Sequence, residues 1–328
     1  MHLRLALFFV IIVALAIALF IFVSSQIDYS AGEPEWGVTY SVKYAEELGL
    51  DPRTTFLGIL DDLKVTNVRL PSYWDRVEKT PGNYYFRELD WLIEEASRRN
   101  VKIVLVLGQR QPRWPECHIP GWAENLPRAI REDRLLKFID AVVQRYQGND
   151  NIAVWQVENE PFLDIFGECE PTTADFVKSE IALTKSLDDR PVMITESGEL
   201  STWLRGAQLA DILGVSLYRI TWNKYLGYFY YPIAPDHYHS KIELIAPLVE
   251  KVICTELQVE PWAPDGITNM SYEEMIAALP LKKARNNVEF ARRVGFPEIY
   301  LWGAEWWYYM KEKHGDDTYW QEMKNLWK

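Results

Sequence analysis

Eight short runs of aliphatic and β-branched residues recur along this chain, at 36–40, 67–70, 102–108, 153–157, 192–195, 212–217, 251–255 and 299–303. Amphipathic stretches separate them. Phe86, Leu89, Trp91, Leu92, Ile93 and Ala96 make one apolar helix face, which stops at Arg98-Arg99-Asn100. Leu135, Leu136, Phe138, Ile139, Val142 and Val143 make another, ended by Gly148, and 276–294 reads as a third that stops at Gly295. Strand–helix alternation implies a parallel sheet, because a parallel pair needs a long crossover between its strands. Eight such units in about 300 residues match a (β/α)8 TIM barrel, which typically takes ~250. No Gly-x-Gly-x-x-Gly follows a strand, so an open dinucleotide-binding sheet loses its main support. No Pro/Gly/Ser-rich linker divides the body, and we expect one barrel over 29–328.

The segment before the barrel is of another kind. Residues 5–23 are apolar without interruption and follow Arg4 and the α-amino group. At ~1.5 Å per residue the run nearly spans a ~30 Å hydrocarbon core. It is longer than the ~7–15-residue core of most signal peptides, although Val23-Ser24-Ser25 offers small residues for cleavage. We expect 1–28 to be an N-terminal transmembrane or signal-anchor helix, or a cleaved signal, with 24–34 as a polar tether. The preceding positive charge favours a cytoplasmic N-terminus, so the barrel is expected to be extracytoplasmic, with the membrane as a partner through this helix. The net charge of −12 argues against nucleic acid as a partner, since the chain's own field repels phosphate.

In a barrel of this kind chemistry sits where strands end and the following loops begin. The fourth strand ends Gln156-Val157-Glu158-Asn159-Glu160-Pro161, and the seventh ends Cys254-Thr255-Glu256-Leu257. Two carboxyl groups across one barrel mouth are what glycosidic bond cleavage requires: one to donate a proton, one to act as nucleophile or base.

Asn159-Glu160-Pro161 at strand 4 and Thr255-Glu256 at strand 7 resemble the retaining β-glycosidases of glycoside hydrolase clan A. Arg69 at the end of strand 2 (Val68-Arg69-Leu70-Pro71), Tyr218 after strand 6 and Trp302 in strand 8 support the resemblance. So do Trp74-Asp75-Arg76-Val77-Glu78, Pro81-Gly82-Asn83-Tyr84 and Leu89-Asp90-Trp91, which look like the group's strand 2 to helix 2 connection. The resemblance implies a retaining hydrolase of β-O-glycosidic bonds, with Glu160 as acid/base and Glu256 as nucleophile. It also implies that Asn159 binds the sugar 2-hydroxyl, that Arg69 and Tyr218 keep Glu256 ionised and oriented, and that Trp302 floors the cleavage point. There is one departure. Cellulase-like members place a His after strand 3, where this chain has Leu107-Gly108-Gln109-Arg110, and Arg113-Trp114-Pro115 looks more like β-galactosidase-type members.

Other residues compete for these roles. Glu158 shares a side with Glu160 if the strand continues, and Glu196, Glu260 and Glu305 also follow strands. Trp114 and Trp122 after strand 3 could stack on substrate. So could Trp222, Tyr225, Tyr228, Phe229, Tyr230 and Tyr231 after strand 6, with about half of all these rings left to pack as loop core. His237 and His239 lack a third ligand, so we read them as loop or substrate contacts and expect neither metal nor cofactor. A catalytically silent, membrane-tethered carbohydrate-binding barrel is the alternative, but a binder has no need of both carboxylates and Arg69. Cys254 should be a buried thiol. Cys117 and Cys169 lie in neighbouring rim loops, where an exported domain permits a bridge closing 52 residues. Such a bridge would be worth on the order of 3–4 kcal/mol in the chain-entropy model.

Overall fold

The computed structural model describes residues 27–225 and 227–328, together with Phe9 and Ile12. Each of the eight apolar runs is a barrel strand: β1 (Glu35–Thr39), β2 (Asn67–Pro71), β3 (Lys102–Leu107), β4 (Ile152–Val157), β5 (Val192–Glu196), β6 (Ile212–Leu217), β9 (Lys251–Gln258) and β10 (Glu298–Trp302). They run parallel and close on themselves, β10 pairing with β1. Two further strands, β7 (Ile220–Asn223) and β8 (Gly227–Tyr230), form an antiparallel hairpin outside the barrel.

The barrel interior is filled from below. Val104, Val154, Met193, Ile212, Ile253 and Tyr300 pack together as an inner apolar layer, the filling that a closed eight-stranded barrel requires. Above them the inward side chains turn polar. Thr39 donates to the Thr255 carbonyl (3.2 Å), and Arg69 Nε donates to Gln156 Oε1 (2.7 Å). A second apolar layer, including Cys254, lies between the strands and the surrounding helices.

Three elements differ from the sequence reading. The stretch 276–294 is two helices, Tyr272–Ala278 and Leu281–Val294. Pro280 separates them, because a proline supplies no N–H and pushes Leu279 out of helical geometry, to φ −132° and ψ 78°. Between β5 and β6 the crossover helix shrinks to one turn, Leu204–Ala207. The region after β6 is not a plain loop but the hairpin followed by a helix, Pro235–Ile245, which carries both histidines.

The tether is also not free where it is described. Tyr29 stacks on His239 at 3.7 Å between ring centroids, and its N–H donates to the Arg293 carbonyl (3.0 Å). His239 Nδ1 lies 3.0 Å from the Val294 carbonyl oxygen. His239 is thus a docking residue rather than a substrate contact. Among the described residues no helix is long and apolar enough to cross a membrane. The run 5–23, on which the anchor reading rests, lies outside the described residues apart from Phe9 and Ile12.

Candidate active site

Glu256 reaches the barrel mouth through an irregularity in β9. Val215 of β6 pairs with Cys254 and the next residue, Ser216, pairs with Glu256, so β9 carries an extra residue. The register against β10 shifts at the same level. Cys254 faces the helices, and simple alternation would send Glu256 the same way; the extra residue turns it inward. There Arg69 Nη1 donates to Oε1 (2.8 Å) and the Tyr218 hydroxyl donates to Oε2 (3.2 Å). Arg69 is fully buried, and Glu256 nearly so.

Glu160 faces a different environment. The Ser216 hydroxyl donates to its Oε1 (2.8 Å), and its backbone N–H donates to Thr195 Oγ1 (2.8 Å). Among the described residues no guanidinium or ammonium bonds its carboxyl group. Burial, the charge of Glu256 and that of Glu116 hold its pKa well above the usual carboxyl range. Its backbone sits at φ +46°, a left-handed conformation that non-glycine residues adopt at a cost of about 1–3 kcal/mol, here where β4 turns into its loop.

Asn159 joins the two carboxyls. Its Oδ1 accepts from Arg69 Nη2 (2.6 Å) and from the Thr195 hydroxyl (3.0 Å). Its Nδ2 donates to Oε2 of Glu116 (2.9 Å). Glu116 is a mouth residue that sequence reading missed. It is buried, and burial together with the charge of Glu256 pushes its pKa up to about 8. Its place in the loop after β3, next to Cys117, was the available signal.

The competing acids separate. Glu158 turns away at φ +59° and accepts the N–H groups of Gln109 (3.0 Å) and Arg110 (2.6 Å), so it does not share the side of Glu160. The Glu158 carboxyl lies against Gly108, where an added Cβ would meet its Oε1 at 2.5 Å, and the φ of +107° at that position favours glycine. Glu196 accepts from the Ser201 hydroxyl and the Gly206 N–H, both in the connection between β5 and β6. Glu260 and Glu305 both bond the guanidinium of Arg113. Trp302 does stand at the mouth, but the Arg113 guanidinium lies 3.9 Å from its ring centroid, so the expected open floor is covered.

Rings line the other side. Tyr218 packs edge-on against Trp262 (5.6 Å), Trp262 against Phe166 (5.8 Å), and Phe166 against Trp114 (5.7 Å). Trp114 is 59% exposed. Of the aromatics after β6, Tyr228 bonds the Trp262 carbonyl through its hydroxyl (3.0 Å), and most of its neighbours are solvent-facing rather than core. Trp122 instead packs against Trp74 beneath the rim. Cys117 and Cys169 form the expected disulfide, with Cα atoms 5.3 Å apart, and Cys254 is a buried free thiol. Burial raises the Cys254 pKa, so it stays protonated.

Residues 71–172 match the model of glycosyl hydrolase family 10, a stretch that includes Asn159 and Glu160. The β-galactosidase BgaA of Clostridium cellulovorans is 25% identical over 167 residues, covering 44% of this chain. The match spans about a quarter, 25%, of that relative's length. Among solved structures, the xylanase XynB of Paenibacillus barcinonensis superposes with a TM-score of 0.57 at 16% identity, over 83% of this chain and 84% of that one. A family 5 enzyme, GH5_18 of Streptomyces cattleya, gives 0.58 at 14% identity, over 83% and 71%. Over 71–172 the chain is thus similar to glycosyl hydrolase family 10, and its barrel fold is shared with these family 10 and family 5 enzymes.

Proposed function

We propose that this protein hydrolyses β-O-glycosidic bonds of oligo- or polysaccharides with retention, by double displacement. The observation that carries the reading is the contrast between the two carboxyls. Glu256 bonds a buried guanidinium and a phenol, which hold and orient it as the nucleophile. Glu160 is buried beside the charge of Glu256 and, among the described residues, has a neutral hydroxyl and no cation on its carboxyl group, which favours the protonated acid. In the first step Glu256 attacks the anomeric carbon while Glu160 protonates the departing oxygen. In the second, Glu160 takes a proton from water, which then cleaves the glycosyl–Glu256 ester. Asn159 retains one amide hydrogen for the 2-hydroxyl once Glu116 has taken the other. Trp114 offers an exposed face beyond the cleavage point. The apolar run 5–23 supports an extracytoplasmic, membrane-anchored barrel.

The test is stereochemical. In an NMR time course on an aryl β-glycoside the β-anomer should appear first; first appearance of the α-anomer would overturn the reading. Glu256→Ala should lose about 10³-fold or more in kcat. Glu160→Ala should keep glycosylation by substrates with good leaving groups, and added azide should then yield the β-glycosyl azide. An α-azide from that variant would mean the two roles are reversed.

A further inference from the structure

We infer that Arg113 closes the glycone end of the cleft, so that the enzyme removes single sugars from a non-reducing terminus instead of cutting within a chain. The inference rests on the retaining reading above and adds to it the mode of attack.

The two ends of the cleft can be told apart from the barrel order. Glu160 belongs to β4 and is held by Thr195 of β5 and Ser216 of β6. The leaving oxygen must face this proton donor, so the aglycone extends over β4 to β6 and their loops. Glu256 on β9 has β10 and then β1 on its other side. The sugar that it attacks therefore lies on the Glu256 side, and any further sugar beyond it would point towards Trp302 and the end of β1.

That sector is filled. Arg113 enters it from the loop after β3, and its guanidinium lies between two rings, 3.9 Å from the Trp302 centroid and 3.7 Å from that of Tyr44. It bonds Glu260 after β9 and Glu305 after β10, the latter at 3.0 Å. Glu305 also accepts the Ser41 N–H at the end of β1 (2.6 Å). All three charged side chains are buried. Withdrawing the guanidinium would leave two buried carboxylates without their partner, which is strongly unfavourable. The backbone is equally constrained. Arg113 sits at φ +86° in a tight turn closed by Glu116 N–H to the Arg113 carbonyl (2.8 Å), and the Cys117–Cys169 bridge fastens that turn to the loop after β4.

The aglycone side is built differently. Phe166 after β4 and Tyr218 after β6 stand in this sector, both packed against Trp262, and Trp114 against Phe166 carries the run of rings out to solvent. A wall of paired charges at one end and a ring-lined ramp at the other suit one terminal sugar bound ahead of a longer leaving group.

The experiment uses the disulfide-intact protein and β-linked oligosaccharides tagged at the reducing end, made of whichever sugar an aryl β-glycoside panel identifies. The wild type should release monosaccharide and tagged chains shortened by one unit. It should also prefer the aryl monoglycoside to the aryl diglycoside by about 100-fold in kcat/KM. Arg113→Ala should reduce that preference at least about 10-fold and begin to yield untagged disaccharide. Early release of di- or trisaccharides by the wild type, or an unchanged preference in a folded Arg113→Ala protein, would overturn the inference. Should that variant not fold, the wild-type product pattern decides alone. Internal cleavage with retention removes this inference only. Absence of hydrolysis, together with no labelling of Glu256 by 2-deoxy-2-fluoro glycosyl fluorides, removes the retaining reading and this one with it.

Discussion

Glu116 shows how far residue-level reading reaches in this site. Glu160, Glu256, Asn159, Arg69 and Tyr218 were legible because each stands at a strand end that the barrel brings to one mouth, and the structure gathers all five. Glu116 was not, because it arrives on an irregular loop where no periodicity says which way a side chain points. Its raised pKa has a consequence for stability. In the folded protein Glu116 keeps its proton up to about pH 8, whereas in the unfolded chain it ionises near its ordinary value of 4.5. Between those limits the unfolded state binds fewer protons, so this group's contribution to stability falls as pH rises and levels off above about 8. Glu116→Gln removes that dependence. Thermal melts of both proteins should therefore show the variant gaining on the wild type from pH 5 to pH 8. A constant difference across that range would mean that Glu116 titrates normally.

At the scale of elements, each predicted strand is present, since a short apolar run between turn residues leaves little choice in a parallel sheet. What alternation could not supply is the extra residue in β9, which exists only in the pairing with β6 and β10. The break at Pro280 could have been read, because proline ends the helix before it. The hairpin after β6 is masked in the sequence by its density of aromatic residues, which reads equally well as loop core. The loop after β3 is the element with most riding on it, since it carries Arg110, Arg113 and Glu116. Replacing both Cys117 and Cys169 by Ser should cost about 3–4 kcal/mol of stability on the chain-entropy model. It should also lower kcat/KM at temperatures where the barrel remains folded, because Glu116 and Arg113 lose a fixed turn. Differential scanning calorimetry with kinetics on an aryl β-glycoside checks both; an unchanged kcat/KM would show that the hydrogen bonds of the loop suffice.

For the whole molecule, the point at which the tether joins the barrel sets its orientation. Tyr29 docks at the end of helix Leu281–Val294, and Glu35 N–H donates to the Pro297 carbonyl (2.9 Å), both at the N-terminal end of the barrel strands. The two candidate catalytic carboxyls open at the opposite end. If the run 5–23 is the membrane anchor proposed above, a barrel held through this tether presents its mouth away from the membrane. The protein carrying residues 1–27 should then sediment with membranes and resist alkaline extraction. A chain beginning at Asp28 should be found in the aqueous fraction with kcat/KM within about twofold on a small aryl β-glycoside, since no mouth residue is removed. Release of the full-length protein with a new N-terminus after Ser25 would instead identify the segment as a cleaved signal.

The Cys117–Cys169 bridge also bears on the order in which the molecule is made. Three thiols allow three pairings, and two of them would trap Cys254 outside its strand. A chain emerges from its N-terminus at about 5–20 residues per second, so Cys117 and Cys169 are both available for seconds before Cys254 exists. If they pair in that interval, the choice is settled by arrival time. The last thiol then finds no partner, and β9 can bury it as the barrel closes.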